Sequence, residues 1–162
     1  MKKIIFLRHG KAEPKWKDID NWSRMLTDKG IEKTKEYFDA IRDKISRIDA
    51  IVSSAARRTK MTAEVIAQEV DIERHMIQYH SGLWTDDMST IIAMIRSFPA
   101  SRKSVIIVWH NDSLSDAAMS LTDAPLDMMN KSGFIGLGFD VTDWALVDKK
   151  QNNEVWQYNG DE

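Results

Sequence analysis

Lys3-Ile4-Ile5-Phe6-Leu7-Arg8-His9-Gly10 is the stretch that decides how this chain reads. The apolar run from Lys3 to Leu7, rich in β-branched and large side chains, predicts a short buried strand. Directly beyond it stand an arginine, a histidine and a glycine. In open α/β sheets, ligands bind in the crevice outside the carboxyl ends of the strands. That position here carries a fixed cation, a titratable nucleophile or base, and a residue that lets backbone approach closely. The combination suits an anion, phosphate above all.

Outward from that strand, strand-like and helix-like segments alternate. Lys11 to Arg24 is polar, contains Pro14, Trp16 and Trp22, and reads as a loop. Ile31, Phe38, Ile41 and Ile45 then fall on one face of a helix starting near Thr27 or Asp28. Asp49 to Ser53 predicts a second strand, and Ala63, Ile66, Ala67 and Val70 a second amphipathic helix. Met76 to Tyr79 is a weaker strand. Met88, Ile91, Ile92 and Ile95 follow at helical spacing and end before Pro99. Ser104 to Trp109 (SVIIVW) is the clearest buried strand, and Leu114, Ala117, Ala118 and Leu121 form a further helical stripe. Gly133 to Asp140, Trp144 to Asp148 and Glu154 to Tyr158 read as strands joined by turns. The expected fold is a three-layer α/β/α sandwich with a mainly parallel central sheet and an antiparallel C-terminal edge.

Composition narrows the function. At 162 residues, 43% hydrophobic and 30% charged, the chain fits one soluble globular domain spanning 1–162. A net charge of −2 gives no reason to expect a nucleic-acid partner. No apolar stretch approaches the length of a membrane span, and the first strand is too short for a signal-peptide core, so a cytoplasmic protein is expected. Without cysteine there is no disulfide, thiolate metal site or cysteine nucleophile.

Three strand ends carry related chemistry. The first ends in Arg8-His9-Gly10, the second in Ser53-Ser54-Ala55-Ala56-Arg57-Arg58, and SVIIVW in His110-Asn111. If the strands are parallel neighbours, arginines, two histidines, serines and an asparagine converge on one rim. Helix N-termini after Arg58 and His110 would add backbone N–H groups, and the whole is a donor cluster suited to a tetrahedral dianion. Two of only four histidines stand immediately after core strands. His75, in a polar turn, and His80 read as ordinary surface or packing residues. Arginines beside His9 and His110 are poor company for a divalent cation, so neither a metal nor another cofactor is expected.

On these residues the chain resembles the histidine phosphatase, or phosphoglycerate-mutase-like, superfamily. Its R-H-G hallmark places His9 as nucleophile. Its second motif, S-S-P-x-x-R-x-x-x-T-A, is similar to Ser53 through Ala63 and puts Arg58, not Arg57, on the phosphate. The third motif matches His110-Asn111. Arg24 to Gly30 (RMLTDKG) and the segment GFIGLGFDVTDWALVD look like the short phosphohistidine phosphatase branch of SixA type, and the similarity runs over essentially the whole chain. Three residues depart from the pattern: Ala55 replaces a proline, Trp109 a glycine, and Asp112 a proline.

The resemblance implies a metal-independent hydrolase in which His9 forms a phosphohistidine intermediate that water then hydrolyses. Arg8, Arg58 and His110 would hold the phosphoryl oxygens, with Gly10, Ser54, Asn111 and Arg24 also contacting substrate. Candidates for the general acid are Asp20, Asp86 and Asp87; the last two read first as an N-cap and first-turn acids of the helix at Met88, and Asp20 reads also as a solvated loop charge. A phosphohistidine imidazole protonated on its other nitrogen leaves without much acid help, which favours N–P substrates over esters. With only Lys11 to Arg24 and Gln78 to Asp87 available as a lid, the site should be open, unlike that of a mutase. The implied partner is phosphate or a phosphorylated substrate, such as a signalling protein bearing phosphohistidine. The alternatives are a broad phosphomonoesterase and a weakly catalytic phosphoprotein-binding module. Lys11, Lys15 and Lys17 with Trp16 and Trp22 form a basic aromatic loop that could dock an acidic surface. Trp84, Trp144 and Trp156 read as packing.

Overall fold

Alternation along the first strand, β1 (Lys2–Arg8), sorts the core into two halves. Ile4 and Phe6 join one buried cluster, Ile5 and Leu7 the other, because successive side chains of a strand point to opposite faces. The computed structural model describes residues 1–15, 20–80 and 87–160. Within them β2 (Ala50–Ser54), β3 (Gln78–His80) and β4 (Ser104–Trp109) join β1 in parallel, while β5 (Phe134–Phe139) and β6 (Asn152–Tyr158) add an antiparallel edge. The strand order is β3-β2-β4-β1-β5-β6.

Helices α1 (Asp28–Ile41) and α2 (Arg57–Glu69) cover one face through Tyr37, Phe38, Ile41, Ala63 and Ile66. Helices α3 (Met88–Arg96) and α4 (Ser113–Ser120) cover the other through Ile91, Ile95, Leu114 and Ala118. Buried on both faces, β1 and β4 read as continuous apolar runs rather than alternating ones. This is the three-layer sandwich with an antiparallel edge that the sequence predicts. No helix among the described residues is long and apolar enough to cross a membrane.

Helix α1 begins where its capping residue places it: Thr27 Oγ1 accepts the Gly30 N–H at 3.0 Å. Its buried stripe is Gly30, Thr34, Tyr37, Phe38 and Ile41. Ile45 lies beyond the helix, past a 3₁₀ turn at Arg42–Lys44. The segment expected as a strand from Trp144 to Asp148 is instead a 3₁₀ turn, Trp144–Leu146. Asp143 caps it through the Ala145 N–H at 2.9 Å, and the Trp144 indole N–H donates to the Arg102 carbonyl at 2.8 Å. That fully buried ring packs edge-on to Phe98. A similar 3₁₀ turn, Arg74–Met76, takes the start of the weak third strand and leaves β3 only three residues.

Candidate active site

Four parallel strands end on one rim, and their order sets the neighbours there. β4 lies between β1 and β2, so the residues following β1 and β4 are adjacent. The His9 N–H extends the pairing by one residue, donating to the Trp109 carbonyl at 3.2 Å. The rings of His9 and His110 therefore lie 5.5 Å apart, centre to centre. Arg58, in the first turn of α2 and only 3% exposed, reaches both. Its Nε is 3.4 Å from His9 Nε2 and its Nη2 is 3.3 Å from His110 Nδ1. Arg57 points outward and is exposed. Arg8, Arg58, His9 and His110 are thus brought together as expected from the sequence.

The hydrogen bonds fix both tautomers. His9 Nδ1 lies 2.7 Å from the carbonyl oxygen of Gly10. A carbonyl only accepts, so Nδ1 carries the proton and Nε2 keeps its lone pair toward Arg58. His110 is the mirror case. Its Nδ1 faces a guanidinium that only donates, so Nε2 carries the proton and donates to Ser54 Oγ at 2.7 Å. Electrostatics agree. Burial pushes the His9 imidazole well below its ordinary pKa, and neighbouring His110, Arg58 and Arg8 push the same way against the Gly10 hydrogen bond. Burial and Arg58, Arg24 and Arg8 lower His110 to about 3. Arg58 is itself lowered to about 10 by burial and by Arg24, and stays charged at neutral pH. Two neutral imidazoles therefore face a field of arginines, an arrangement that attracts a dianion.

Supporting residues explain how each cation is held. Arg24, 8% exposed, donates to Asn21 Oδ1 and to the Glu13 carbonyl, both at 2.8 Å. Arg58 Nη1 meets the Asn21 carbonyl at 2.8 Å, so both arginines clamp the turn Asn21–Ser23. Arg8 donates through Nη1 to the Met129 carbonyl at 2.8 Å, while its Nε is buried with no hydrogen-bond acceptor among the described residues. Asp112, exposed beyond His110, acts on Arg8 by its charge.

Two expected substrate contacts have other visible duties. The Asn111 amide donates to the Met129 carbonyl at 3.2 Å, and its oxygen accepts from Ser115 N–H at 3.2 Å and Ser115 Oγ–H at 2.6 Å. The Met129 N–H donates back to Ser115 Oγ at 2.9 Å. This closed ring fixes the carbonyl on which Arg8 rests. At Gly10, a Cβ would meet Thr34 Oγ1 at 2.9 Å, and Gly30 O and Leu26 Cδ1 at 3.0 Å. Close packing on α1 thus requires this glycine. At Gly30 a Cβ would meet the Lys11 carbonyl at 2.4 Å, so two glycines let the loop after β1 lie directly on the helix. Gly10 N–H also donates to Thr62 Oγ1, which donates to the Arg58 carbonyl.

Of the acid candidates, Asp20 is exposed, and both its oxygens accept from Ser23, at 2.9 Å from N–H and 3.0 Å from Oγ. Those bonds hold its carboxyl below the usual carboxylate range. Asp87 caps α3 through the Ser89 N–H and is lowered for the same reason. Asp86 lies outside the described residues, as do Trp16, Lys17 and Trp84 of the other expected features. Trp109, which departs from the family pattern, is 2% exposed and lies in the core half covered by α3 and α4, with its ring edge-on to His110 and His80. Reasoning from sequence missed Met129, Ser115, Thr62 and Thr34. Only the T-A of the second motif, which contains Thr62, offered a signal. Among the described residues no group of three or more His, Asp or Glu side chains could hold a metal ion.

A buried pair of neutral histidines ringed by arginines at the carboxyl end of a parallel sheet defines a class, phosphate-handling α/β enzymes. The model of the histidine phosphatase superfamily (branch 1) matches residues 4–104, and the chain belongs to that superfamily of phosphatases. Solved structures extend the likeness past His110. The protein histidine phosphatase SixA, solved with tungstate, shares 17% identity at a TM-score of 0.77, covering 97% of this chain and 96% of that one. An Agrobacterium tumefaciens protein assigned as the phosphohistidine phosphatase SixA shares 22% at 0.74, covering 85% and 92%. Mycobacterial glucosyl-3-phosphoglycerate phosphatase shares 14% at 0.64, covering 98% and 99%. At these identities the likeness is one of fold. No curated protein matches the sequence significantly.

Proposed function

We propose that the protein hydrolyses phosphohistidine on another protein, without a metal, through a phosphohistidine intermediate on its own His9. The observation that carries this reading is the 2.7 Å bond from His9 Nδ1 to the Gly10 carbonyl. It leaves Nε2 as the nitrogen with a lone pair, and burial keeps that nitrogen unprotonated at neutral pH. Nε2 attacks phosphorus as the bond to the leaving nitrogen breaks, and the substrate imidazole departs neutral because its other nitrogen already carries a proton. Water then attacks the Nε2-phosphohistidine, releasing phosphate and restoring His9. Arg8 Nε, a buried donor with no acceptor among the described residues, is available to a phosphoryl oxygen, and Arg58 beside Nε2 offsets charge as the bonds change. Arg24, Ser54 and Asn111 serve as supports: Arg24 beside Arg58, Ser54 under His110, Asn111 beneath Arg8.

The substrate class follows from the leaving group. Asp20 and Asp87 are held ionised in capping bonds, so neither is poised to donate a proton to an alkoxide. Esters of poor leaving groups should then react slowly, whereas phosphohistidine needs little acid help. The test is purified protein with EDTA against a phosphohistidine-bearing protein and an aryl phosphate, with His9→Ala as control. Preference for phosphohistidine, lost in His9→Ala, supports the reading. Equal turnover of both substrates favours a broad phosphomonoesterase, binding without turnover favours a phosphoprotein-binding module, and activity surviving His9→Ala removes the mechanism.

A further inference from the structure

Beside the catalytic pocket, with Arg8 in the shared wall, lies a cleft of about 530 Å³ lined by Arg8, Lys11, Lys29, Lys33, Tyr37, Asn130, Lys131 and Ser132. Among the described residues that line it, five are cations and none is a carboxylate, in a chain whose net charge is −2. The cations come from four places in the chain: the end of β1 (Arg8), the loop after it (Lys11), the first turns of α1 (Lys29 and Lys33) and the turn before β5 (Lys131). Lys29 and Lys33 stand one helical turn apart, about 6 Å along the axis. Lys33 Nζ lies 5.7 Å from the centre of the Tyr37 ring.

We propose that this cleft docks an acidic segment of the phosphorylated protein substrate, an inference that rests on the phosphohistidine-protein reading above. Arg8 and Arg58, with Arg24 behind them, already answer the charge of one phosphoryl group, so the four lysines exceed what that group can use. Small-molecule pockets are lined mainly by apolar side chains with a few polar groups; this lining is mostly charged. Lysines are strongly hydrated point charges on flexible stems, suited to carboxylates presented in varied geometry rather than to one fixed planar partner. Their concentration on one side of the pocket would steer an acidic surface so that its phosphohistidine meets His9.

The test uses two matched phosphohistidine peptides, one flanked by Asp and Glu and one by Asn and Gln, with p-nitrophenyl phosphate as a small probe. The acidic peptide should be favoured about tenfold in kcat/KM at low salt, and the preference should fade between about 50 and about 300 mM salt. Lys29→Glu/Lys33→Glu/Lys131→Glu should abolish the preference and leave p-nitrophenyl phosphate within about twofold of wild type. The milder Lys29→Gln/Lys33→Gln/Lys131→Gln should give a partial loss and guards against misfolding. Equal rates for the two peptides in wild type, or a variant that slows both peptides and the small probe alike, overturns the docking cleft. Failure to hydrolyse either peptide overturns the substrate reading instead. The cleft is then read from binding of the labelled peptides to His9→Ala: tighter binding of the acidic one, lost with the lysines, sustains it, and equal binding overturns it.

Discussion

Acidification from pH 7 to pH 5 should destabilise this protein through its own active site. His110 is lowered to about 3 in the folded chain, against an ordinary value of about 6.5 once unfolded. Between those values the unfolded state binds a proton that the folded state refuses, so stability falls as pH drops below 6.5. At pH 5 the difference spans about 1.5 pH units at roughly 1.4 kcal/mol each, or about 2 kcal/mol from His110 alone. His9 is lowered as well and adds in the same direction. The measurement is urea unfolding followed by tryptophan fluorescence at both pH values, in wild type and His110→Gln. Glutamine can still donate toward Ser54 but does not titrate. Wild type should lose about 2 kcal/mol more than the variant on acidification. Equal losses would refute the claim that the pocket holds His110 neutral.

Further outcomes follow from the same geometry. Inorganic phosphate at about a hundred times its Kd should stabilise wild type by about 2.7 kcal/mol, a rise in Tm of roughly 5–10 °C; Arg58→Ala should lose that shift, and an undiminished shift would place the anion elsewhere. Gly30→Ala should destabilise by about 1–3 kcal/mol despite alanine's better helix propensity, because the new Cβ meets the Lys11 carbonyl at 2.4 Å; denaturant midpoints decide the sign. Ser115→Ala opens the ring around Met129 and should cost about 1 kcal/mol in stability. As a positioning change it should also lower kcat/KM about tenfold, with Ser115→Thr recovering part; unchanged kinetics would separate that ring from Arg8. Once the substrate's own ionisation is subtracted, the acid limb of kcat/KM should lie below the ordinary imidazole value, and a limb at 6.5 or above would contradict a neutral buried His9.

Much of this was legible in the sequence, for identifiable reasons. β1 and β4 are buried on both faces, so their composition alone marks them, and the carboxyl end of a parallel strand is a fixed address for a ligand. His9, Arg58, Ser54 and His110 sit at such addresses, within four residues of a strand end. What was not legible depends on contacts distant in sequence. Met129 supports Arg8 from 121 residues away through a carbonyl oxygen, a group every residue carries. Trp144 to Asp148 has the composition of a strand, but the capping bond from Asp143 and the indole bond to Arg102 turn its start into the 3₁₀ segment Trp144–Leu146. Gly10 marks a close approach in the sequence, and the protein neighbours that crowd it are Thr34, Gly30 and Leu26; a glycine signals crowding without naming what crowds it. Asp20 and Asp87 show the converse limit: sequence offers Asp20 as an acid or a solvated loop charge and Asp87 as an acid or a helix cap, and the capping bonds both make to Ser23 and Ser89 come only from the structure.

The central claim is that Nε2 of His9 becomes phosphorylated, and trapping the intermediate tests it most directly. Wild-type enzyme quenched in base during turnover of a phosphohistidine protein should carry one acid-labile phosphoryl group, placed on His9 by peptide mass spectrometry and on Nε2 by phosphorus and nitrogen NMR. Phosphate on Nδ1, on His110, or on no residue while turnover proceeds would contradict the account.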